Sequence, residues 1–227
     1  WNHYMSDRVI HKNNINDFKL SPNLNDYQQT RKTFDWEKVE NGLDGLEGGG
    51  LNLAYEAIDR YANGIKRDTI ALHWEGANGL EEKYSFQELK ELSDKFANLI
   101  SGIGINKGDR VFIFMERIPE LYIAFFGILK AGAIAGPLFS AFGPDPVKDR
   151  LEDSGAKLLI ANTNLLNRVK HILKDLPAME NVIVVNKYDP SNPKIIENQI
   201  DYQDAMNKAS STPQPIQTDA EDYSIMH

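Results

Sequence analysis

Cysteine is absent from all 227 residues. Disulfide scaffolds, zinc–thiolate sites and cysteine nucleophiles are therefore excluded, and a cytoplasmic setting is expected. Excess positive charge is also missing: 25 Lys and Arg stand against 33 Asp and Glu, a net charge of -8. A broad electrostatic footprint for nucleic acid or an anionic membrane is not expected, although a local basic pocket remains open. The stretch from Trp1 to Leu20 lacks the 7–15-residue apolar core of a secretory signal. One run, Tyr122 to Phe142, has the length of a bilayer span, about 20 residues. Lys130 sits near its middle and Gly132, Gly136 and Pro137 interrupt it, so a buried helix followed by a buried strand is the better reading. None of the five histidines has metal-ligand spacing, and surface or packing roles are expected for them. No strand–Gly-rich–Lys-Ser/Thr phosphate loop occurs either. Gly48-Gly49-Gly50 follows no strand, and the run Gly102 to Gly108 comes after a helix and before a strand, the wrong order for cradling a phosphate. It reads as a helix C-cap and turn.

What is present is an ordinary folding composition, 41% hydrophobic and 26% charged, which argues against disorder and coiled coil. Residues 1–50, rich in Asn, Asp and Lys, are expected to form an extended arm with one short helix between Asn25 and Trp36. From 51 onward the pattern sharpens. Leu53, Ala57, Ile58 and Tyr61 recur at helical spacing up to Gly64. Thr69–Trp74 and Glu82–Tyr84 flank a Gly76–Gly79 turn and predict a hairpin. Ser85 followed by Glu88 predicts a capping box opening a helix whose buried face carries Leu89, Leu92, Phe96, Leu99 and Ile100.

Strands and helices then alternate. Strands are expected at Val111–Met115, Ala133–Phe139, Lys157–Ala161 and Val182–Asn186, with helices at Pro119–Lys130, Asp145–Ser154 and Asn164–Leu176 between them. Apolar strands joined by helical crossovers imply an α/β fold, a parallel sheet with flanking helices. After Lys187 the chain turns to Pro, Asn, Ser and Gln around a helix near Tyr202–Ala209. It then enters Tyr223-Ser224-Ile225-Met226-His227, which reads as the start of a strand, so a longer chain is expected.

Two segments could meet a ligand. Phe139-Ser140-Ala141-Phe142-Gly143-Pro144 follows an apolar strand at its carboxyl end, where α/β proteins place ligands; a plain turn is the alternative. Arg168, Lys170, His171 and Lys174 gather on one helical stretch. Such charge is ordinarily solvated, and a phosphorylated ligand is the other reading. The adjacent Glu152 and Asp153 diverge by about 100° on a helix and cannot work as an acid/base couple.

Several runs, in order and in register, carry a family resemblance: Tyr84-Ser85-Phe86-Gln87-Glu88-Leu89, Gly104-Ile105-Asn106-Lys107-Gly108-Asp109-Arg110-Val111, Leu129-Lys130-Ala131-Gly132-Ala133 and Leu151-Glu152-Asp153-Ser154-Gly155-Ala156-Lys157. They resemble the amino-terminal signature of adenylate-forming enzymes. Phe34-Asp35-Trp36, Asn52 to Arg60 and Pro137-Leu138-Phe139-Ser140-Ala141-Phe142 are similar to AMP-forming acetyl-CoA synthetases, the acetate–CoA ligases. The resemblance implies that residues 51–227 are the first part of the AMP-binding large domain, truncated before the phosphate loop, with Asp219 to His227 leading into it.

The intact enzyme would activate acetate with ATP and Mg²⁺ to acetyl-adenylate and pass the acetyl group to coenzyme A. The implied partners are these small molecules and the remainder of its own chain, with no nucleic acid and no membrane. No catalytic or metal residue is carried over, and the piece alone is expected to be inactive. For coenzyme A the resemblance points to Phe139, Ser140 and Ala141, where the family's usual Phe-Gly-Gly is Phe-Ser-Ala, and to Arg168 and Lys170 as nearest candidates for its phosphates. A ligase for propionate or a longer acid, and a non-catalytic α/β binding module, are the alternatives.

Overall fold

The structure, a computed structural model, describes residues 19–187, 196, 198–214 and 216–227. His3, His11, the Asp189–Pro193 segment and Pro215 lie outside the described residues. The chain divides into two compact units, Trp1–Leu43 and Asp44–His227. In the described part of the first, α1 (Tyr27–Thr33) and α2 (Trp36–Glu40) are each opened by an aspartate, Asp26 accepting from the Gln29 amide and Asp35 from that of Glu37. Phe34 and Trp36 meet edge to face at 5.0 Å. The expected single helix is thus two, separated at Phe34, whose extended backbone ends the first.

The second unit begins at Asp44 because the loop before Asn52 is tied down. The Gly45 amide donates to Glu56 at 2.7 Å and the Leu51 amide to the Thr218 carbonyl at 2.8 Å. The helix expected from Asn52 is wound partly as a π-helix, Tyr55–Asp59, before finishing as Arg60–Ala62; together these form α3. Strands β1 (Ile70–Glu75) and β2 (Glu81–Ser85) form the antiparallel hairpin. Helix α4 (Phe86–Gly102) opens with the anticipated capping box. Ser85 accepts from the Glu88 amide, and Glu88 takes the Ser85 amide at 2.7 Å. The Gly102–Gly108 run closes α4 and turns, with Gly104 and Gly108 at φ of 97° and 82°.

The α/β expectation holds. Strands β3 (Arg110–Phe114), β4 (Ile134–Pro137), β5 (Leu158–Asn162), β6 (Asn181–Val185) and β7 (Gln199–Asp201) form one sheet in the order β4-β3-β5-β6-β7, every pairing parallel. Between them run α5 (Pro119–Lys130), α6 (Pro144–Ser154) and α7 (Thr163–Val169), the last followed by a 3₁₀ turn at Leu173–Asp175; α8 (Tyr202–Lys208) follows β7. The helix expected over Asn164–Leu176 is therefore broken after Val169, and β7 is a strand that the polar composition around it hid.

Alternation within each strand divides the core in two. Val111, Ile113, Leu158, Ile160, Ile183 and Val185 face α4, α5 and α8, while Phe112, Phe114, Leu159, Ala161, Val182 and Val184 face α6 and α7. Beyond β4 the chain returns at Ser224–Met226. The Ala135 amide donates to the Ser224 carbonyl and the Met226 amide to the Ala135 carbonyl, both at 2.9 Å, making a parallel bridge at Ile225. The β4 edge is thus partly covered by the chain itself.

Where α3, α4 and α5 meet, Lys130 reaches Asp59 at 2.6 Å and Asp94 at 2.7 Å, and Lys90 adds a second contact to Asp94 at 2.8 Å. Burial pushes the Asp59 carboxyl up, against the pull of Lys130. Of these, α4 and α5 approach closely at Gly127, where a Cβ would lie 2.8 Å from Phe96 and 2.9 Å from the Ser93 carbonyl.

Three outcomes follow from this packing and from the α4 cap. Gly127→Ala, favoured by helix propensity alone, is expected to destabilise the chain by about 1–3 kcal/mol in urea unfolding, because the neighbour it meets includes fixed backbone. Ser85→Ala should cost about 1 kcal/mol through the lost cap. Glu88 is held below its ordinary pKa, first by the Ser85 amide and then by its hydroxyl. Its contribution is present above the ordinary glutamate range and fades as pH falls through the lowered folded value, so Glu88→Gln should flatten that acid limb.

Candidate functional site

A parallel sheet places its connecting loops at the carboxyl ends of its strands, and ligands gather where adjacent loops leave for opposite faces. Here α5, which follows β3, packs on one face, whereas α6 and α7, which follow β4 and β5, pack on the other. A crevice therefore opens at the carboxyl end of β3. Phe139-Ser140-Ala141-Phe142-Gly143 lies beside it as the exit from β4.

This exit is a tight turn, closed by the Phe142 amide donating to the Phe139 carbonyl at 2.9 Å. The Phe139 ring is 63% exposed and meets Phe142 edge to face at 5.7 Å. Ala141 is exposed and Ser140 half-buried. Nothing lies within 4 Å of where a Gly143 Cβ would stand, so the backbone beyond the turn faces open space. Two arginines frame it. Arg168, in the last turn of α7, donates through Nη1 to the Ser140 carbonyl at 2.8 Å and the Phe142 carbonyl at 3.1 Å. Arg150 of α6 lies 4.6 Å over the Phe142 ring. A cavity of about 240 Å³ adjoins the turn, lined by Phe139, Phe142, Arg150, Met226 and His227 among others.

Four of the five sequence-identified residues are thus brought together: Phe139, Ser140, Ala141 and Arg168. Lys170 is placed elsewhere. Its amine donates to Asn167 at 3.1 Å, and its side chain lines a separate hollow with Lys174, Asn181 and Val182, at the amino-terminal end of β6. The reason is helix rotation: two residues on a helix are about 200° apart, so the side chains of Arg168 and of Lys170, the C-cap of α7, leave on opposite sides. Glu152 and Asp153 are exposed, as expected of solvated helix charge.

A charged cluster at the same end of the sheet escaped sequence reading because its members are far apart in the chain. Lys187, just past β6, reaches Glu82 of the hairpin at 2.8 Å and the buried Glu120 of α5 at 3.1 Å. Tyr84 hydrogen-bonds Glu82, and burial together with that carboxylate pushes its phenol above the ordinary range. Burial works to lower the Lys187 pKa, but its hydrogen bond to Glu82 and the charge of Glu120 outweigh it and hold the amine above its ordinary value. Trp74 Nε1 donates to the Arg117 carbonyl at 2.7 Å, so the hairpin is fastened to the loop leaving β3.

Among the described residues, His73, Glu75 and Glu81 bring three possible metal ligands within 4.8 Å. All are exposed, and the Lys83 amine, 3.3 Å from Glu81, already supplies a cation there. No helix of the described residues is long and apolar enough to cross a membrane.

Comparison with known proteins gives this geometry a family. The model of the AMP-binding enzymes matches residues 58–226, and the chain belongs to that family. An acetyl-coenzyme A synthetase of Bacillus subtilis (strain 168) is 41% identical over 206 residues, covering 90% of this chain and 35% of the relative. One of Syntrophobacter fumaroxidans is 33% identical over 82% of this chain and 31% of its own. The crystal structure of a Brucella canis acyl-CoA synthetase superposes with a TM-score of 0.76 at 28% identity over 88% of this chain and 35% of that one. The fold is shared as well by an anthranilate CoA ligase, AuaEII, solved with anthranoyl-AMP, at a TM-score of 0.66 and 22% identity over 78% of this chain and 31% of its own. The chain spans about a third of the length of these relatives.

Replacing Lys187 with Met leaves the buried Glu120 without its cation. A loss of about 3–5 kcal/mol is expected, read as a lowered urea midpoint.

Proposed function

We propose that this chain is the opening part of an acyl-CoA ligase that activates acetate, with residues 1–50 as an arm and 51–227 as the beginning of the AMP-binding domain. The observation that carries the coenzyme half of this reading is the preformed turn at the end of β4, with its exposed Phe139 ring and open backbone. In the whole ligase a carboxylate oxygen attacks the α-phosphorus of ATP and pyrophosphate leaves. The coenzyme A sulfur then attacks the acyl carbon, and AMP departs. An anion attacking an anion needs its developing charge absorbed by Mg²⁺ and fixed donors.

The residues of this chain fit the coenzyme better than the nucleotide. An aromatic face, small side chains and an approachable backbone suit a thin pantetheine arm. No glycine-rich run of the sequence has the order and the Lys-Ser or Lys-Thr of a phosphate loop, and we assign none of these residues to ATP or Mg²⁺. Acetate is favoured over propionate or a longer acid by the relatives named acetyl-coenzyme A synthetase. All of these substrates are soluble metabolites, and with no cysteine in the chain a cytoplasmic ligase is the consistent setting.

Two measurements test this. The 227-residue chain alone should support no acetate-dependent exchange of pyrophosphate into ATP, and exchange above blank that needs Mg²⁺ would refute the reading. In the whole ligase Ala141→Trp should raise the KM for coenzyme A or slow thioester formation about tenfold or more while pyrophosphate exchange is largely kept. Equal loss in both half-reactions would make the turn a packing element instead.

A further inference from the structure

Resting on that coenzyme reading, we propose that Arg168 is a positioning residue: its guanidinium clamps the Phe139–Phe142 turn through two backbone carbonyls and thereby presents the coenzyme-facing surface, rather than itself reading a phosphate. Residues 140 and 141 occupy the corners of the turn, and the one internal hydrogen bond, Phe142 amide to Phe139 carbonyl, closes it. That bond leaves the Ser140 and Phe142 carbonyls outside the turn, and both accept from the same nitrogen, Nη1 of Arg168. Phe142 anchors one end of the turn against the core, but the rest has little side-chain packing to hold it: Ala141 is exposed, and a Gly143 Cβ would touch nothing within 4 Å. A rigid cation with fixed donor directions, delivered by α7 from the neighbouring strand, supplies the order that packing does not. The Phe142 ring itself has Arg150 over it at 4.6 Å and meets Phe139 in a T-shaped contact at 5.7 Å. The turn is thus fixed from α6 and α7 together, and the exposed Phe139 ring is presented at a set angle. Arg168 bears on a ligand through the turn's carbonyls.

A clamp and a phosphate contact differ in what they read. The first arm uses the 227-residue chain and no coenzyme. Hydrogen exchange at the Phe142 amide, followed by NMR, should quicken about tenfold in Arg168→Ala, while the amides of β5 and β6 keep their protection. Unchanged exchange at Phe142 would overturn the clamp, whatever the fate of the coenzyme reading.

The second arm uses the whole ligase with two thiol acceptors: coenzyme A, and pantetheine, which has the same thiol arm but no phosphate. Arg168→Ala should raise KM for both by a similar factor, about tenfold. Arg168→Lys, which keeps the charge but not the fixed donor directions of the guanidinium nitrogen, should recover little of the loss. A rise confined to coenzyme A, restored by Lys, would make Arg168 a phosphate ligand and sink the proposal. Faster exchange at Phe142 with neither KM altered would leave the clamp standing and remove the coenzyme from the turn.

Discussion

The five-stranded sheet of the larger unit depends on strands that all run the same way. Parallel neighbours cannot be joined by tight turns, so the chain from β3 to β6 crosses back over the sheet through α5, α6 and α7, and both faces become buried. The strands answer with unbroken apolar runs split by parity: in β3, Val111 and Ile113 go to one core and Phe112 and Phe114 to the other. The crossover rule also sets where chemistry can happen. Loops at the amino ends bring helices in, and loops at the carboxyl ends send them out, leaving a crevice where α5 and α6 part company on either face. The Phe139 turn is at that crevice as a consequence of topology, before any side chain is considered.

Most of the residues that carry the family likeness are not at the crevice at all. Arg110 donates to the carbonyls of Ser154 and Gly155 at 2.7 and 3.0 Å, capping α6 where Gly155 turns left-handed at φ 60°. Asp109 accepts from the Asn106 amide and from Lys157, each within 3.0 Å. Lys130 sits between Asp59 and Asp94. These are cross-ties at the amino ends of the strands and at the end of α5. They fix the height of each strand relative to its neighbours and so the position of the loops at the far edge. A motif can therefore identify a family through residues that never meet a substrate.

This explains what was legible and what was not. Local signals transferred well: the Ser85–Glu88 box, Pro119 opening α5, the alternating strands, and Gly104 and Gly108 as turn glycines all act within a few residues of themselves. The π-helical winding at Tyr55–Asp59 did not show, because apolar spacing at Leu53, Ala57, Ile58 and Tyr61 fits an α-helix equally well. There Asp59 is drawn toward Lys130, a partner distant in sequence. Strand β7 was hidden for a similar reason: Gln199, Ile200 and Asp201 have little strand character alone and pair because β6 offers an open side. Lys170 and Arg168 looked equivalent as neighbouring cations. Only their positions about 200° apart around the end of α7 separate them, placing one on the turn and the other in a hollow at the amino-terminal end of β6.

The same topology links the turn to what lies beside it. Ile225 pairs parallel to Ala135, so β4 has chain on both sides and its exit lies between two others. A segment parallel to β4 advances toward the same carboxyl edge, and Met226 and His227 do so, joining Phe139, Phe142 and Arg150 around the 240 Å³ cavity. The turn therefore has β3's exit on one side and the carboxyl-bound tail on the other. A turn in that position is useful only if it keeps its shape while both neighbours are engaged, and its corner residues, Ser140 and Ala141, are too small to ensure this. The order has to come from behind, from α6 and α7 on the face away from α5, which is where Arg150 and Arg168 stand.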